Sequence, residues 1–241
     1  MKCRNTGCTR RRSLRRTEAL WSYLFSSLEC RREGKVLGRN AKLLPAALGF
    51  RVKSGWAMAV LLAGPSASPS LLRCQAALLS DPQVPQSKQP YHAALVLPEK
   101  EGRAIVKKLR KVIGDAANRA VSDLLKQANE AGYAVRGAAL VVGSLVDPAS
   151  LHNEHIRAHA LEGQLFRTVL EDTFRAQGIS CKVFLEKGAY ARAAAMLRAT
   201  EAKAKRTIAQ LGDSHKGSWR AEEKLAALAA WTVLTMRGRA A

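Results

Sequence analysis

The sequence is poor in aromatic residues and contains no paired cysteine motif. Phe, Trp and Tyr make up 5% of its 241 residues, so the core must be built mainly from Ala, Leu and Val, which suits helices packed closely on a sheet. The five cysteines are irregularly spaced and include no CxxC pair. This spacing argues against a zinc module or a disulfide framework. It favours a reducing compartment, for which we expect the cytoplasm.

Several other sequence features are also missing. No apolar run approaches the roughly 20 residues that a membrane-spanning helix needs, and the apolar stretch 55–64 is better interpreted as a buried strand. The phosphate-binding patterns GxxxxGK and GxGxxG are absent, as is the GxSxG nucleophile motif. Cys181 falls in a predicted buried strand, which argues against a thiol nucleophile. The sequence therefore carries no motif that indicates a P-loop nucleotide site, a dinucleotide site or a serine nucleophile.

Basic residues are abundant and unevenly distributed. The formal net charge is +21, and such a charge attracts polyanions, with nucleic acid first and anionic membrane second. Residues 1–50 hold 12 Lys and Arg against 3 Asp and Glu. We therefore predict a basic extension over 1–49, a single α/β domain over 50–236 and a short tail over 237–241. We expect this extension to be disordered, and the alternatives are an Arg-rich transit leader, a stretch upstream of the true translation start and a basic nucleic-acid-binding arm.

Hydrophobic periodicity predicts the order of secondary-structure elements. An antiparallel hairpin comes first, with strands over 49–64 and 71–79, and 91–97 is a third strand or the lead-in to a helix. Helices and strands then alternate: 99–131, 135–142, 149–177, 179–185, 188–211 and 219–236. Gly114 is a candidate break in the first long helix. Such alternation implies right-handed crossovers between parallel strands, and ligands favour the carboxyl ends of such strands.

The densest polar cluster runs from Asp147 to Glu162. Within it, His152, His155, His159 and Glu162 follow one another at spacings of three, four and three, which places them along one helical face. Two histidines four residues apart can ligate one metal ion, and a carboxylate can complete the site. The predicted metal ligands are Asp147, His155, His159 and Glu162, with Zn²⁺ as the candidate metal for the histidines. The alternatives are histidines that cap and solvate the start of the helix, that hydrogen-bond the sheet edge, or that contact a substrate or a phosphate.

Basic side chains on predicted helices are candidates for nucleic-acid contact. Lys107 and Lys111 lie one turn apart on the first long helix, with Lys108 beside them. Arg157 belongs to the His-rich helix, and Arg220 lies at the start of the last predicted helix. No aromatic residues interleave with these charges in the manner used for base stacking. A solvated helix face is therefore the alternative interpretation of the lysines.

Glu222 and Glu223 stand in the first turn of the last predicted helix. Acidic residues at this position stabilise a helix through its macrodipole, which is the simplest interpretation of the pair. The functional alternative is that one of them projects towards the sheet edge and binds a metal ion.

Three segments resemble the ribonuclease H-like fold, with RuvC-type resolvases as the nearest family. The segment VKSGWAMAVLL (52–62) resembles the first strand, VRGAALVVGS (135–144) the fourth strand, and WRAEEKLAALAAW (219–231) the closing acidic helix. The resemblance implies an α/β fold with a mixed sheet. It also implies two divalent ions, Mg²⁺ or Mn²⁺, held by carboxylates on those three elements to clamp a phosphodiester.

Carried over residue by residue, the resemblance supplies only part of that carboxylate set. Glu222 or Glu223 matches the last-helix position, Asp147 lies a few residues beyond the fourth-strand position, and Lys53-Ser54 replaces the first-strand acid. The candidate catalytic residues are thus Asp147, Glu162, Glu222 and Glu223. We expect a domain that interacts with nucleic acid, as a divergent or inactive metal-dependent nuclease. The alternatives are a hydrolase of another class that uses the His-rich helix, and a structural module.

Overall fold

The computed structural model describes residues 43–236, which form a five-stranded mixed sheet with helices on both faces. The strands are β1 (Leu44–Lys53), β2 (Trp56–Ala63), β3 (Ser70–Leu78), β4 (Tyr133–Val142) and β5 (Cys181–Leu185). The helices are α1 (Pro90–Leu95), α2 (Glu99–Glu130), α3 (Glu154–Ala176), α4 (Ala189–Leu197), α5 (Glu201–Asp213) and α6 (Ala221–Met236). Residues 1–42 and 237–241, predicted as most of the extension and the tail, lie outside the described residues.

The sheet has the strand order β3-β2-β1-β4-β5. β2 runs antiparallel to both β1 and β3, whereas β4 runs parallel to both β1 and β5. The predicted α/β class, with an antiparallel start followed by alternating helices and parallel strands in a mixed sheet, is confirmed. The carboxyl ends of β1 and β4 therefore meet at the same edge of the sheet.

Two apolar layers cover the central strands. On one face, α2 and α3 bury residues such as Ile113, Leu124 and Phe174 against β1 and β4. On the other face, α6 packs with α4 and α5 and buries an Ala-rich surface that includes Ala226 and Ala230. Because β1 and β4 are covered on both sides, their sequences are almost continuously apolar, as expected for central parallel strands.

The predicted strand over 49–64 is wrong, because it is two strands. β1 ends at Lys53 and β2 begins at Trp56, and Gly55 occupies the tight turn between them with a φ of 81°. β1 also begins at Leu44, inside the segment that we assigned to the extension. The stretch 52–62, which resembles the first strand of the resolvases, therefore forms this turn and β2, while the central strand is β1.

Three other elements differ from the predicted ones. Residues 91–97 contain helix α1 rather than a third strand, and α2 continues through Gly114 without a break. The predicted helix over 188–211 is two helices, because Arg198 adopts a left-handed conformation with a φ of 50°. The Thr200 hydroxyl then accepts a hydrogen bond from the Lys203 N–H and starts α5.

Within residues 43–236, no helix combines the length and the apolar character required to cross a membrane.

Candidate functional site

A cleft of about 490 Å³ opens at the carboxyl ends of β1 and β4. We call it the strand-edge cleft. Its walls are the end of β1 with the first residue of the following turn (Arg51–Ser54), the loop Gly143–Pro148 that follows β4, and the face of α3 that carries His159, Gln164 and Arg167. Its volume falls in the range of small-molecule sites, about 300–1,000 Å³. The predicted location of a functional site, the edge after β4, thus coincides with a real concavity.

Arg51 is the most buried cation of the cleft wall. It is 4% exposed, and its guanidinium forms an ion pair with Glu186, the residue that follows β5. The same guanidinium donates a hydrogen bond of 2.7 Å to the Val52 carbonyl. Because β4 lies between β1 and β5, this ion pair reaches past β4. The Nε of Arg51 has no hydrogen-bond partner among the described residues.

Lys53 is the second cation of the wall, and it lies 3.4 Å from Glu222 of α6. Glu222 is therefore engaged in an ion pair at the margin of the cleft. A hydrogen bond from its own backbone N–H, together with the hydrogen bond and charge of Lys53, lowers the pKa of Glu222 from its ordinary value of 4.5. Glu222 is thus a carboxylate at neutral pH.

Replacing Glu222 with glutamine should reduce stability in a pH-dependent manner. Since the pKa of Glu222 is lowered in the folded state, its contribution is present above the unfolded value and is lost as the pH falls through the folded value. We expect Glu222→Gln to cost about 0.5–1 kcal/mol at pH 7, the size of a partly exposed ion pair. The measurement is urea unfolding at several pH values, and the deficit should shrink below pH 4.5. Lys53→Gln should produce the same deficit, and the double variant should cost little more than either single variant.

Glu223 is buried and acts at the beginning of α6. Its Oε2 accepts a hydrogen bond of 2.8 Å from the Arg220 N–H, as in a helix capping arrangement. Trp219, which precedes α6, donates a hydrogen bond of 2.8 Å from its Nε1–H to the Ile208 carbonyl. Trp219 and Glu223 thus anchor the start of α6, while the Arg220 side chain is exposed.

The described residues do not fit a two-metal carboxylate centre. Neither β1 nor β4 contains an Asp or Glu, although the resemblance implies an acid on each. Asp147 is exposed in the cleft wall and accepts a hydrogen bond from the Ala149 N–H with its Oδ1. Within residues 43–236, the one group of three or more potential metal ligands that converges is made of histidines.

That group, the histidine cluster, consists of His92, His155 and His159. One nitrogen of each lies within 4.8 Å of the others, and Nε2 of His155 is 3.2 Å from Nε2 of His159. The predicted pair on α3 is thus brought together, with His92 of α1 as a third member. Asp147 and Glu162 lie outside the cluster.

Glu162 lies below the cluster, in the protein interior. It is 0% exposed, and its Oε1 accepts hydrogen bonds from His92, at 2.8 Å from the ring Nδ1 and 3.3 Å from the backbone N–H. Its Oε2 has no partner among the described residues. Glu162 therefore orients an imidazole.

The predicted nucleic-acid-binding lysines lie together on the exposed side of α2. Lys107, Lys108 and Lys111 are all exposed, and none has a carboxylate within salt-bridge distance in the described part of the chain. Arg157 of α3 faces Lys107 across a second groove and lies 3.6 Å from Glu154. This groove lies on the opposite side of α3 from His159 and Arg167.

Neither described cysteine has the properties of a nucleophile. Burial raises the pKa of Cys74 and of Cys181 to about 12, and the nearby carboxylates Glu223 and Glu171 add to these shifts. Both side chains are therefore neutral thiols at physiological pH.

Comparisons with known proteins reveal only distant likenesses of fold. No protein-family model matches the chain, and no curated protein matches it. It is similar to the solved structure of Thermus thermophilus RuvC, with 12% identity over 80% of this chain and 96% of that chain and a TM-score of 0.48. T. thermophilus RuvC in complex with a Holliday junction substrate has 11% identity, the same coverages and the same TM-score. The yeast mitochondrial Holliday junction resolvase Ydc2 has 10% identity over 80% of this chain and 81% of that chain, with a TM-score of 0.41. These values carry no information on activity.

Sequence reasoning missed His92 and the role of Arg51. His92 lies 63 residues before His155 in a short helix with no periodic signal, so only the packing of α1 on α3 brings it to the cluster. Arg51 was hidden because the turn after β1 was not recognised. An arginine within a buried apolar run was the available signal, since buried charges are rare unless they are paired.

Proposed function

We propose that this domain binds the sugar–phosphate backbone of nucleic acid in the strand-edge cleft. One observation carries the proposal: Arg51, Lys53 and Arg167 come from two different elements and line the same concave surface. Phosphate oxygens are recognised by clustered guanidinium and ammonium groups. Asp147 is the one acidic residue among the lining side chains.

The cations of the cleft are held in place by carboxylates that lie outside its lining. Arg51 pairs with Glu186, Lys53 with Glu222, and Arg167 with Glu171 at 3.5 Å. Such pairing restricts long side chains, so less conformational entropy is lost when a phosphate binds. The described residues as a whole carry 26 Lys and Arg against 16 Asp and Glu, which favours encounter with polyanions.

The exposed lysines of α2 provide a further basic surface, with Arg157 beside it and Arg220 at the start of α6. In this proposal they contribute long-range attraction, while the cleft provides the defined contact. The proposal includes no metal-assisted phosphodiester cleavage at the resolvase position, because the carboxylates that this chemistry requires are absent from β1 and β4.

The test is binding of the full chain to labelled DNA and RNA, measured by fluorescence anisotropy across a salt series. Single strands, duplexes and a four-way junction would be compared. We expect the double variant Lys53→Gln, Arg167→Gln to bind about tenfold or more weakly at 0.1 M salt, because two phosphate contacts are lost. The slope of log K against log salt should fall by about 2, close to 0.9 per contact.

A matched control separates the cleft from net charge alone. Lys126→Gln, Lys205→Gln removes the same charge from helix surfaces away from the cleft lining, and we expect its salt slope to stay near that of the wild type. Equal losses in the two double variants would refute the cleft as the binding site. A loss confined to Lys107→Gln, Lys108→Gln, Lys111→Gln would place binding on α2 instead.

A further inference from the structure

We infer that His92, His155 and His159 form a binding site for a divalent transition-metal ion of the Zn²⁺ class, with Glu162 as the residue that orients His92. The inference does not depend on nucleic-acid binding. It differs from the set predicted by the sequence in three respects: His92 becomes a ligand, Asp147 lies outside the site, and Glu162 acts through His92 rather than on the metal.

The spacing of the nitrogens suits such an ion. For Zn–N distances of about 2.0–2.1 Å, two ligands of a tetrahedral site are separated by about 3.3 Å. Nε2 of His155 and Nε2 of His159 are 3.2 Å apart. The ring of His92 approaches both, with centroid distances of 4.7 Å to His155 and 4.3 Å to His159. No pair of ligand nitrogens in the cluster is more than 4.8 Å apart, so the three rings converge on a common point.

The contact between His92 and Glu162 is the arrangement that metal-binding histidines use. A ligating imidazole ordinarily donates its second N–H to a carboxylate or carbonyl, which fixes the ring and makes the other nitrogen a better ligand. Here Nδ1 of His92 is bonded to Oε1 of Glu162 at 2.8 Å. Nε2 is then the nitrogen available to a metal. This atom is buried and has no hydrogen-bond partner among the described residues.

The burial of Glu162 supports the same conclusion independently. A fully buried carboxylate is unfavourable unless opposite charge or hydrogen bonds compensate it. The Oε2 of Glu162 has no partner in residues 43–236, and no Lys or Arg forms a salt bridge with this side chain. A dication held by His92 would place positive charge on the far side of the imidazole and balance the carboxylate through it.

The ligand set indicates the class of metal. Three imidazoles without a thiolate suit Zn²⁺, Co²⁺, Ni²⁺ or Cu²⁺, whereas Mg²⁺, Ca²⁺ and Mn²⁺ prefer oxygen ligands. His155 and His159 are exposed, so the fourth position faces solvent and is open to water. His159 also lines the strand-edge cleft.

A metal-free cluster with the same hydrogen bond between His92 and Glu162 is the competing explanation. In that state Nε2 of His92 would be a buried ring nitrogen without a hydrogen-bond partner, because neither His155 nor His159 forms a hydrogen bond with it. Buried polar atoms without partners are costly. The metal-bound state satisfies the same nitrogen.

The experiment uses the full chain after treatment with a chelator, titrated with Zn²⁺ against a chromogenic chelator and separately with Co²⁺. We expect one tight site per chain, with the visible absorption of tetrahedral Co²⁺. His155→Ala and His159→Ala should each abolish tight binding, and His92→Ala should do the same. Glu162→Gln keeps the shape of the side chain and should weaken binding 10–100-fold, as expected for a residue that orients a ligand.

His152→Ala is the matched control, since His152 lies in the same segment but outside the cluster. It should bind Zn²⁺ as the wild type does. Cys3, Cys8 and Cys30 of the extension are other potential ligands, and a thiolate charge-transfer band in the Co²⁺ spectrum would reveal them. Unchanged Zn²⁺ affinity in the double variant His155→Ala, His159→Ala, or ligation by thiolates alone, would overturn the inference. Both histidines are exposed, so circular dichroism should show that the variant is folded.

Discussion

Replacing Gly49 with alanine should destabilise this domain more than almost any other substitution that adds a single methyl group. Gly49 lies in the middle of β1, directly beneath α6. A Cβ at this position would come within 1.9 Å of the Ala226 carbonyl oxygen and 2.5 Å of the Ala230 backbone nitrogen. Both are backbone atoms of a helix, so no side-chain rotation can relieve the overlap. We expect a loss of at least about 3 kcal/mol, the upper range for overpacking, measured by urea unfolding.

Gly114→Ala is the matched control for that experiment. Gly114 lies in the interior of α2, and a Cβ there would meet nothing within 4 Å. Because alanine is the better helix former, we expect a gain of about 0.5–1 kcal/mol. Opposite signs for the two substitutions would confirm that α6 contacts the backbone of β1. A near-neutral Gly49→Ala would contradict that packing.

Loss of either ring from the Phe50–Phe174 pair should also be severe. Both side chains are 0% exposed, and the rings meet edge to face with centroids 5.5 Å apart. Phe50 belongs to β1 and Phe174 to α3, so this contact holds the helix that carries the histidines against the sheet. We expect each Phe→Ala change to cost about 3–5 kcal/mol.

A double-mutant cycle tests whether the two rings interact directly. The coupling free energy between Phe50→Ala and Phe174→Ala should be about 0.5–1.5 kcal/mol, the value for aromatic pairs. Phe184 belongs to the apolar layer on the other face of the sheet. Phe50→Ala and Phe184→Ala should therefore be additive within about 0.5 kcal/mol. Equal coupling free energies in both cycles would mean that the loss of stability reflects a general response of the core. It would then not be specific to the contact between the two rings.

The elements that could be predicted from the sequence were those with a strong hydrophobic periodicity and clear signals at their ends. The long helix α2 shows apolar residues at spacings of three and four, and Gly132 follows its end with a φ of 85°. The strand β4 is an uninterrupted apolar run of strand length. In both cases local pattern and tertiary environment demand the same structure, so the sequence alone is sufficient.

The turn at Gly55 and the break at Arg198 were not predictable in the same manner. β1 and β2 are both buried on their two faces along most of their length, so no polar alternation marks the point where the chain reverses. The sequences of α4 and α5 are both rich in Ala, Lys and Arg, so intrinsic helix propensity is high on either side of the break. Composition therefore gives no sign of the left-handed conformation of Arg198.

The candidate site was only partly predictable for a related reason. The spacing of His155 and His159 places both on one face of a helix whatever the rest of the fold does. His92 and Arg51 depend on how α1 packs on α3 and on where β1 lies in the sheet, which are long-range contacts with no local signature. The spacing of Glu162 from His155 and His159 places it near their face of the helix, but its burial and its contact with His92 required the structure.

His159 belongs both to the histidine cluster and to the wall of the strand-edge cleft. A single side chain shared by two binding sites makes their equilibria interdependent. If a metal ion fixes the His159 ring and thereby alters the affinity of the cleft for a polyanion, then the polyanion must alter the affinity for the metal by the same factor. The affinity of the domain for one ligand would then depend on the concentration of the other.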